Sequence, residues 1–185
     1  MGIEPRRLAG FVLCAGLWFG VGCIPAQAGE WSGNVVGEYR GFAEGGLDPE
    51  QHRHYGSLAF APGSRHAWDQ DRQALTFTAF ARWDSGDRER THVDIRELYW
   101  LKAGDGYEWR AGVRKVFWGV TESQHLVDIV NQTDLVENLD GEDKLGQPMI
   151  DLALIGKWGT VDFFVLPYFR ERTFPGRAGR LRTPL

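Results

Sequence analysis

Only two of the 185 residues are cysteines, and both, Cys14 and Cys23, fall within the first 28 positions. Beyond Ala28 there is therefore no thiol for a disulfide, a cysteine-bound zinc or a cysteine nucleophile. Long apolar runs are equally scarce. After Ile24 none approaches the ~20 residues of a membrane-spanning helix, so any passage through a bilayer has to use strands. A basic excess is missing as well: the chain carries 21 Lys and Arg against 25 Asp and Glu. Without residues 1–28, which hold two arginines and one glutamate, the balance is 19 to 24, about −5. Mild acidity argues against a general nucleic-acid binder. No repeat of fixed period occurs, and the Gly/Arg-rich tail from Pro175 to Pro184 is the one compositionally biased stretch.

The N-terminus reads as an export signal. Arg6 and Arg7 precede an apolar run from Leu8 to Ile24, and Pro25-Ala26-Gln27-Ala28 supplies an A-x-A exit. Those small residues favour cleavage after Ala28 over retention as an anchor. A lipoprotein box is not formed, because Gly20-Val21-Gly22 precedes Cys23. Residues 29–185 then make one exported domain on length.

Within that domain the hydrophobic period is two. From Asn34 to Phe42, Asn34, Val36, Glu38 and Arg40 oppose Val35, Gly37, Tyr39 and Gly41. From Gln73 to Trp83, Leu75, Phe77, Ala79, Ala81 and Trp83 oppose Thr76, Thr78 and Arg82, with Phe80 alone breaking the polar side. His92, Asp94 and Arg96 oppose Val93, Ile95, Tyr99 and Leu101; Tyr107, Trp109, Ala111 and Val113 oppose Glu108, Arg110 and Arg114. Leu152 and Leu154 alternate with Asp151 and Lys157, and Val161, Phe163, Val165 and Phe169 with Thr160, Asp162 and Arg170. Tyr55 to Ala67 is a weaker strand, interrupted by Pro62-Gly63. These patterns predict an all-β, antiparallel up-and-down meander of about seven strands.

Several of these strands reach about 9–11 residues, the length of a tilted bilayer-spanning strand. Their connections alternate. Trp68–Arg72, Ala103–Gly106 and Lys157–Gly159 are short, whereas Glu44–His54, Ser85–Arg90 and Trp118–Met149 are longer and polar. Trp31, Trp68, Trp100, Tyr107, Trp109 and Trp158 gather near the short turns, and Tyr55, Trp83, Trp118 and Tyr168 near the long loops. Short turns on one side, long loops on the other and two aromatic belts predict part of an outer-membrane β-barrel. A soluble β-sandwich with an aromatic core is the competing reading. An odd strand number and an ending at Arg182-Thr183-Pro184-Leu185 predict a truncated barrel, since bacterial barrels use even numbers of strands.

The alternation places Arg40, Arg82, Arg96, Arg110, Arg114 and Arg170 on the polar face, where a barrel would make them pore-lining. Residues 118–149 form a long, partly helical loop carrying Glu122, Asp128, Asp134, Glu137, Asp140, Glu142 and Asp143 against Lys144. Folded inward, such a loop would set a field across a channel; folded outward, it is a solvated surface loop. Thr121 and Gln124 suit a capping box, predicting a helix from about Glu122 to Val130, and Asp134 can start a second turn ending near Gly141.

Other groupings carry less. Ser123, His125 and Asp128 have the residue types of a hydrolytic triad but sit within a turn and a half of helix, without its opposed geometry. Asn138, Asp140 and Glu142 miss the calcium-loop spacing. His52 and His54 lack further metal ligands. Asn131-Gln132-Thr133 fits a glycosylation pattern in form only. No catalytic residue, metal or cofactor is implied.

"RAGVRKVFWG" followed by "LVDIVNQTDLVE", together with "RELYW" and "FRERTFPGR", resembles porin-like outer-membrane proteins of Gram-negative bacteria, and is similar to the N-terminal part of an uncharacterised proteobacterial family of that kind. The resemblance covers the domain loosely and residues 96–176 more closely. It implies an outer-membrane β-barrel, lipid around it, passive or selective passage of small solutes and no catalysis; it leaves oligomeric state open. The alternatives are a soluble periplasmic β-sandwich binding module, for carbohydrate for example, and an envelope hydrolase.

Overall fold

The computed structural model describes residues 29–117 and 129–182. They form a seven-stranded antiparallel sheet in which every strand pairs with its sequence neighbours. The strands are β1 (Glu30–Gly41), β2 (His54–Trp68), β3 (Gln73–Asp84), β4 (His92–Gly104), β5 (Tyr107–Arg114), β6 (Gln147–Gly156) and β7 (Gly159–Val165). β1 and β7 are its two edges, so the sheet is open among the described residues. No α-helix occurs there. The expected leader, most of the helix expected from Glu122 to Val130, Trp118, Ser123, His125, the loop acids Glu122 and Asp128, and the final three residues lie outside them.

The register stacks like with like. Val35, Phe60, Ala81 and Val93 align across four strands on one face, and Glu38, Ser57 and Asp84 align on the other. Across the far half, Trp109, Leu152 and Phe163 share the apolar face, and Arg110 and Asp151 share the polar one. A strand's side chains alternate, so a slip by one residue would exchange the faces, and this alternation fixes the pairing.

Two sequence expectations need correction. First, Pro62-Gly63 does not break its strand: β2 runs for 15 residues. Pro62 pairs with Gly33 of β1, and the ladder to β3 skips Ala61 and Pro62, where proline has no N–H to give. Second, Tyr99 and Leu101 lie on the polar face with Asp94 and Arg96, not opposite them. The register shifts between Thr78 and Ala79, which pair with Glu97 and Ile95 and leave Arg96 as an extra residue. One inserted residue reverses the phase of all that follow. Tyr99 consequently meets Arg114, whose guanidinium lies 5.6 Å from the ring centroid.

Gly112 marks a close approach of β4 to β5. Its φ is +134°, and a Cβ there would come within 2.8 Å of the Tyr99 Cα. The β2–β3 turn is tight in a different way, with Asp69, Gln70 and Asp71 all left-handed. The Asp69 carboxylate holds it by accepting from Arg72 (2.8 Å) and Gln73 (3.3 Å).

The exposed face of the sheet is the apolar one. Val93 is 80% exposed and Trp83 59%, while Asp134 is fully buried and Asp151 1% exposed. The cause is the placement of residues 129–146 and 166–182, which fold over the polar face at its long-loop end.

Candidate functional site

The polar face carries the arrangement of interest. It begins with acids two residues from an arginine on the same strand, hence on the same face: Glu38 and Arg40, Asp94 and Arg96, Glu108 and Arg110. Neighbouring strands extend each pair sideways. Glu38 also accepts from Arg82 of β3 (3.2 Å) and from Arg90 (2.9 Å), and Arg90 reaches Asp84 at 2.9 Å. Asp151 of β6 receives both Arg110 (3.0 Å) and Arg114. Phe80, the apolar break in the polar side of β3, is a platform: Arg96 lies 4.7 Å and Arg82 5.8 Å from its centroid, and His92 packs at 5.5 Å.

Two loop carboxylates close the network from above. Asp134 pairs with Arg96 at 2.5 Å and accepts from the Thr173 hydroxyl at 2.5 Å. Glu137 pairs with Arg82 at 2.7 Å, and the His92 ring lies 3.7 Å from it. Burial pushes the Asp134 carboxyl up, but the Thr173 hydroxyl and the Arg96 guanidinium together bring it below the usual aspartate value. Burial dominates at Glu137 despite Arg82, Arg90 and His92, and holds its carboxyl above the usual value. One loop therefore carries one acid held ionised and one inclined to take a proton.

Segment 166–182 crosses the same face as a strap. Arg170 binds Asp94 (2.6 Å) and the Gly146 carbonyl (3.1 Å). Gly176 N–H donates to Asp87 (3.1 Å), Tyr55 donates to the Ala178 carbonyl (2.7 Å), Gln51 to the Gly179 carbonyl (3.0 Å) and Arg180 to the Glu44 carbonyl (3.1 Å). The strap thus runs from the β6 side back to the β1–β2 loop. Asp87 is buried, and burial holds its carboxyl above the usual value against the N–H groups of Glu89 and Gly176. Between strap, loop and sheet remains a cavity of only about 30 Å³, lined in part by Arg40, Arg90, Glu137 and Arg180. That is room for about one or two water molecules.

All six arginines singled out from the sequence are in ion pairs. Arg40, Arg82, Arg96, Arg110 and Arg114 stand on the strands; Arg170 does not, because β7 ends at Val165 and Arg170 belongs to the strap. Of the loop acids, Asp134 and Glu137 turn inward, Asp140 and Glu142 are exposed, and Asp143 accepts from Asn138. A turn does start at Asp134, through bonds from Glu137 and Asn138 N–H to the Asp134 carbonyl, but it spans only 135–137 and stops short of the Gly141 expected from the sequence. Tyr55, expected in an aromatic belt, is instead buried on the polar face.

Sequence reasoning missed Glu38, Asp84, Arg90, Asp94 and Asp151, although the acid-x-arginine spacing on one strand face was a usable signal for two of them. It also missed Asn131. That buried amide accepts from Val116 N–H (2.8 Å) and donates to the Arg114 and Leu145 carbonyls (2.9 Å each), joining the exit of β5 to the entry of β6. A residue so enclosed cannot accept a glycan. No group of side chains that could hold a metal forms among the described residues, and Ser123, His125 and Asp128 lie outside them. No protein-family model, curated protein or solved structure matches the chain.

Proposed function

We propose that this is a porin-like outer-membrane β-barrel protein of a Gram-negative envelope, exported by its leader, whose charged inner face governs restricted passage of small solutes. The observation that carries the reading is the uncovered face. Among the described strand positions it bears no acid, and its basic side chains, His54, His66 and Lys102, are at its two margins. Between those margins stand Val35, Leu58, Phe60, Phe77, Ala81, Val93, Ile95, Val113, Ile150 and Phe163. From the level of Gln73, beside Trp68, to Trp83 is ten residues along β3, about 33 Å of strand and about 25 Å of height at a tilt near 40°. That is the height of a barrel's apolar band, with Trp68 and Trp109 at one margin and Trp83 and Tyr39 at the other.

A β-sandwich would require the opposite arrangement, since its loops and second layer cover the apolar face. Here loop and strap cover the charged one. The seven arginines of the network meet seven carboxylates, so its inner wall is nearly neutral overall and its selectivity is local rather than simply anionic or cationic. β1 and β7 run in the same direction, so a wholly antiparallel barrel needs an odd number of further strands between them.

The test is fractionation of the full chain expressed in a Gram-negative host. Recovery in the outer membrane, with a folded band on gels that shifts on boiling, supports the proposal; release with the soluble periplasm and no shift contradicts it.

A further inference from the structure

The wall has a slot beside the end of β5, closed at the level of Arg96, where the Gly146 backbone packs against the Arg96 carbonyl. β5 ends at Arg114 and its first pair with β4 is Leu98 with Val113, so His92–Glu97 have no β5 neighbour. Val116 then turns inward and is buried, its N–H held by Asn131. On the other side, Gly146 leads into β6, Pro148 is its second residue, and Tyr168 and Arg170 of the strap complete the lining. These residues, with Val93, Asp94, Ile95 and Val113, line a cleft of about 300 Å³, the lower end of the range for small-molecule sites.

Its walls are mostly apolar and open toward the face proposed above to meet lipid, at the level just below Trp83 where a bilayer's polar region begins. Arg170 supplies the polar end. It is the most exposed arginine of the network, at 27%, and its partner Asp94 keeps a second guanidinium, Arg96, at 3.2 Å. Arg170 turning to an incoming anion would leave Asp94 its ion pair with Arg96 and would release the Gly146 carbonyl, which now accepts from Arg170.

We infer that this cleft binds one alkyl chain ending in a carboxylate, with the chain against Val93, Ile95, Val113 and Pro148 and the head group on the Arg170 guanidinium. A cleft of about 300 Å³ holds a single alkyl chain rather than the two of a phospholipid, and a guanidinium favours a planar carboxylate that it can grip at two points. The inference rests on the membrane reading for the source of the ligand.

The test uses the full chain in uncharged maltoside micelles, with dodecanoate and dodecyltrimethylammonium as probes and native mass spectrometry as the readout. Dodecanoate is expected to bind one to one; Arg170→Gln weakens it about tenfold, Arg170→Lys retains most of it, and Ile95→Trp, which fills the slot from its apolar side, abolishes it. Equal retention of both probes, or dodecanoate binding unchanged by Arg170→Gln and Ile95→Trp in protein that keeps its folded gel band, overturns the cleft. Soluble periplasmic release would overturn the membrane reading instead, so the two failures are distinguishable.

Discussion

Removing the Asp134 carboxylate isolates the contribution of the loop that closes the charged face. The carboxylate is fully buried, lies 2.5 Å from an Arg96 guanidinium that is itself 7% exposed, and accepts from Thr173. In Asp134→Ala, Arg96 keeps Asp94 at 3.2 Å but loses its shorter partner in a buried site. Breaking a buried pair from one side costs about 3–5 kcal/mol, and the surviving Asp94 contact places this case near the lower end. Thr173 is only half-buried and can turn to water, adding little. A loss of about 3 kcal/mol lowers the folding equilibrium constant roughly 100-fold. Urea unfolding in maltoside micelles, followed by tryptophan emission, reads this as a lower midpoint at an unchanged slope. Adding Arg96→Met removes the stranded charge and should recover about 1–2 kcal/mol. A cost below about 1 kcal/mol for Asp134→Ala, or a double variant no more stable than the single one, would refute the claim that this pair is a buried, coupled contact.

Asp134 and Glu137 should respond to pH in opposite senses. The lowered Asp134 carboxyl contributes stability above the unfolded aspartate value and loses it as pH falls through the folded one; the raised Glu137 carboxyl contributes most below the unfolded glutamate value and loses it as pH rises through its own. Stability titrations should therefore show the penalty of Asp134→Asn growing, and that of Glu137→Gln shrinking, as pH rises from acid toward neutral; parallel trends would contradict the assigned environments. Asn131→Ala leaves one N–H and two carbonyls without their amide partner, so urea midpoints should report a loss of about 2–4 kcal/mol. A loss below about 0.5 kcal/mol would show that the link between β5 and β6 does not depend on that side chain.

Strand number, order and faces were legible because a period of two survives in nearly every strand, and Leu75 to Trp83 shows it almost without exception. The bulge at Arg96 was not legible, since an inserted residue changes register without changing composition, and Tyr99 and Leu101 were assigned to the wrong face in consequence. The arginines stood out by type and alternation, yet their partners depend on lateral pairing: Asp151 meets Arg110 and Arg114 only because β6 is aligned with β5 at that register. Residues of the strap and of Asn131's link were invisible for the same reason, as their bonds join positions far apart in the chain. Arg170 illustrates the limit well, having the right residue type and the right network but the wrong element.

The central claim is that the apolar face meets lipid and the charged face meets water. Single cysteines at Phe77, Ala79 and Ala81 on one face of β3 and at Thr76 and Thr78 on the other, spin-labelled in protein reconstituted into phospholipid vesicles, test it directly. The account predicts that labels at 77, 79 and 81 collide preferentially with oxygen dissolved in lipid, and those at 76 and 78 with a water-soluble nickel chelate. Equal access of the chelate to both sets, or the reverse alternation, would contradict it.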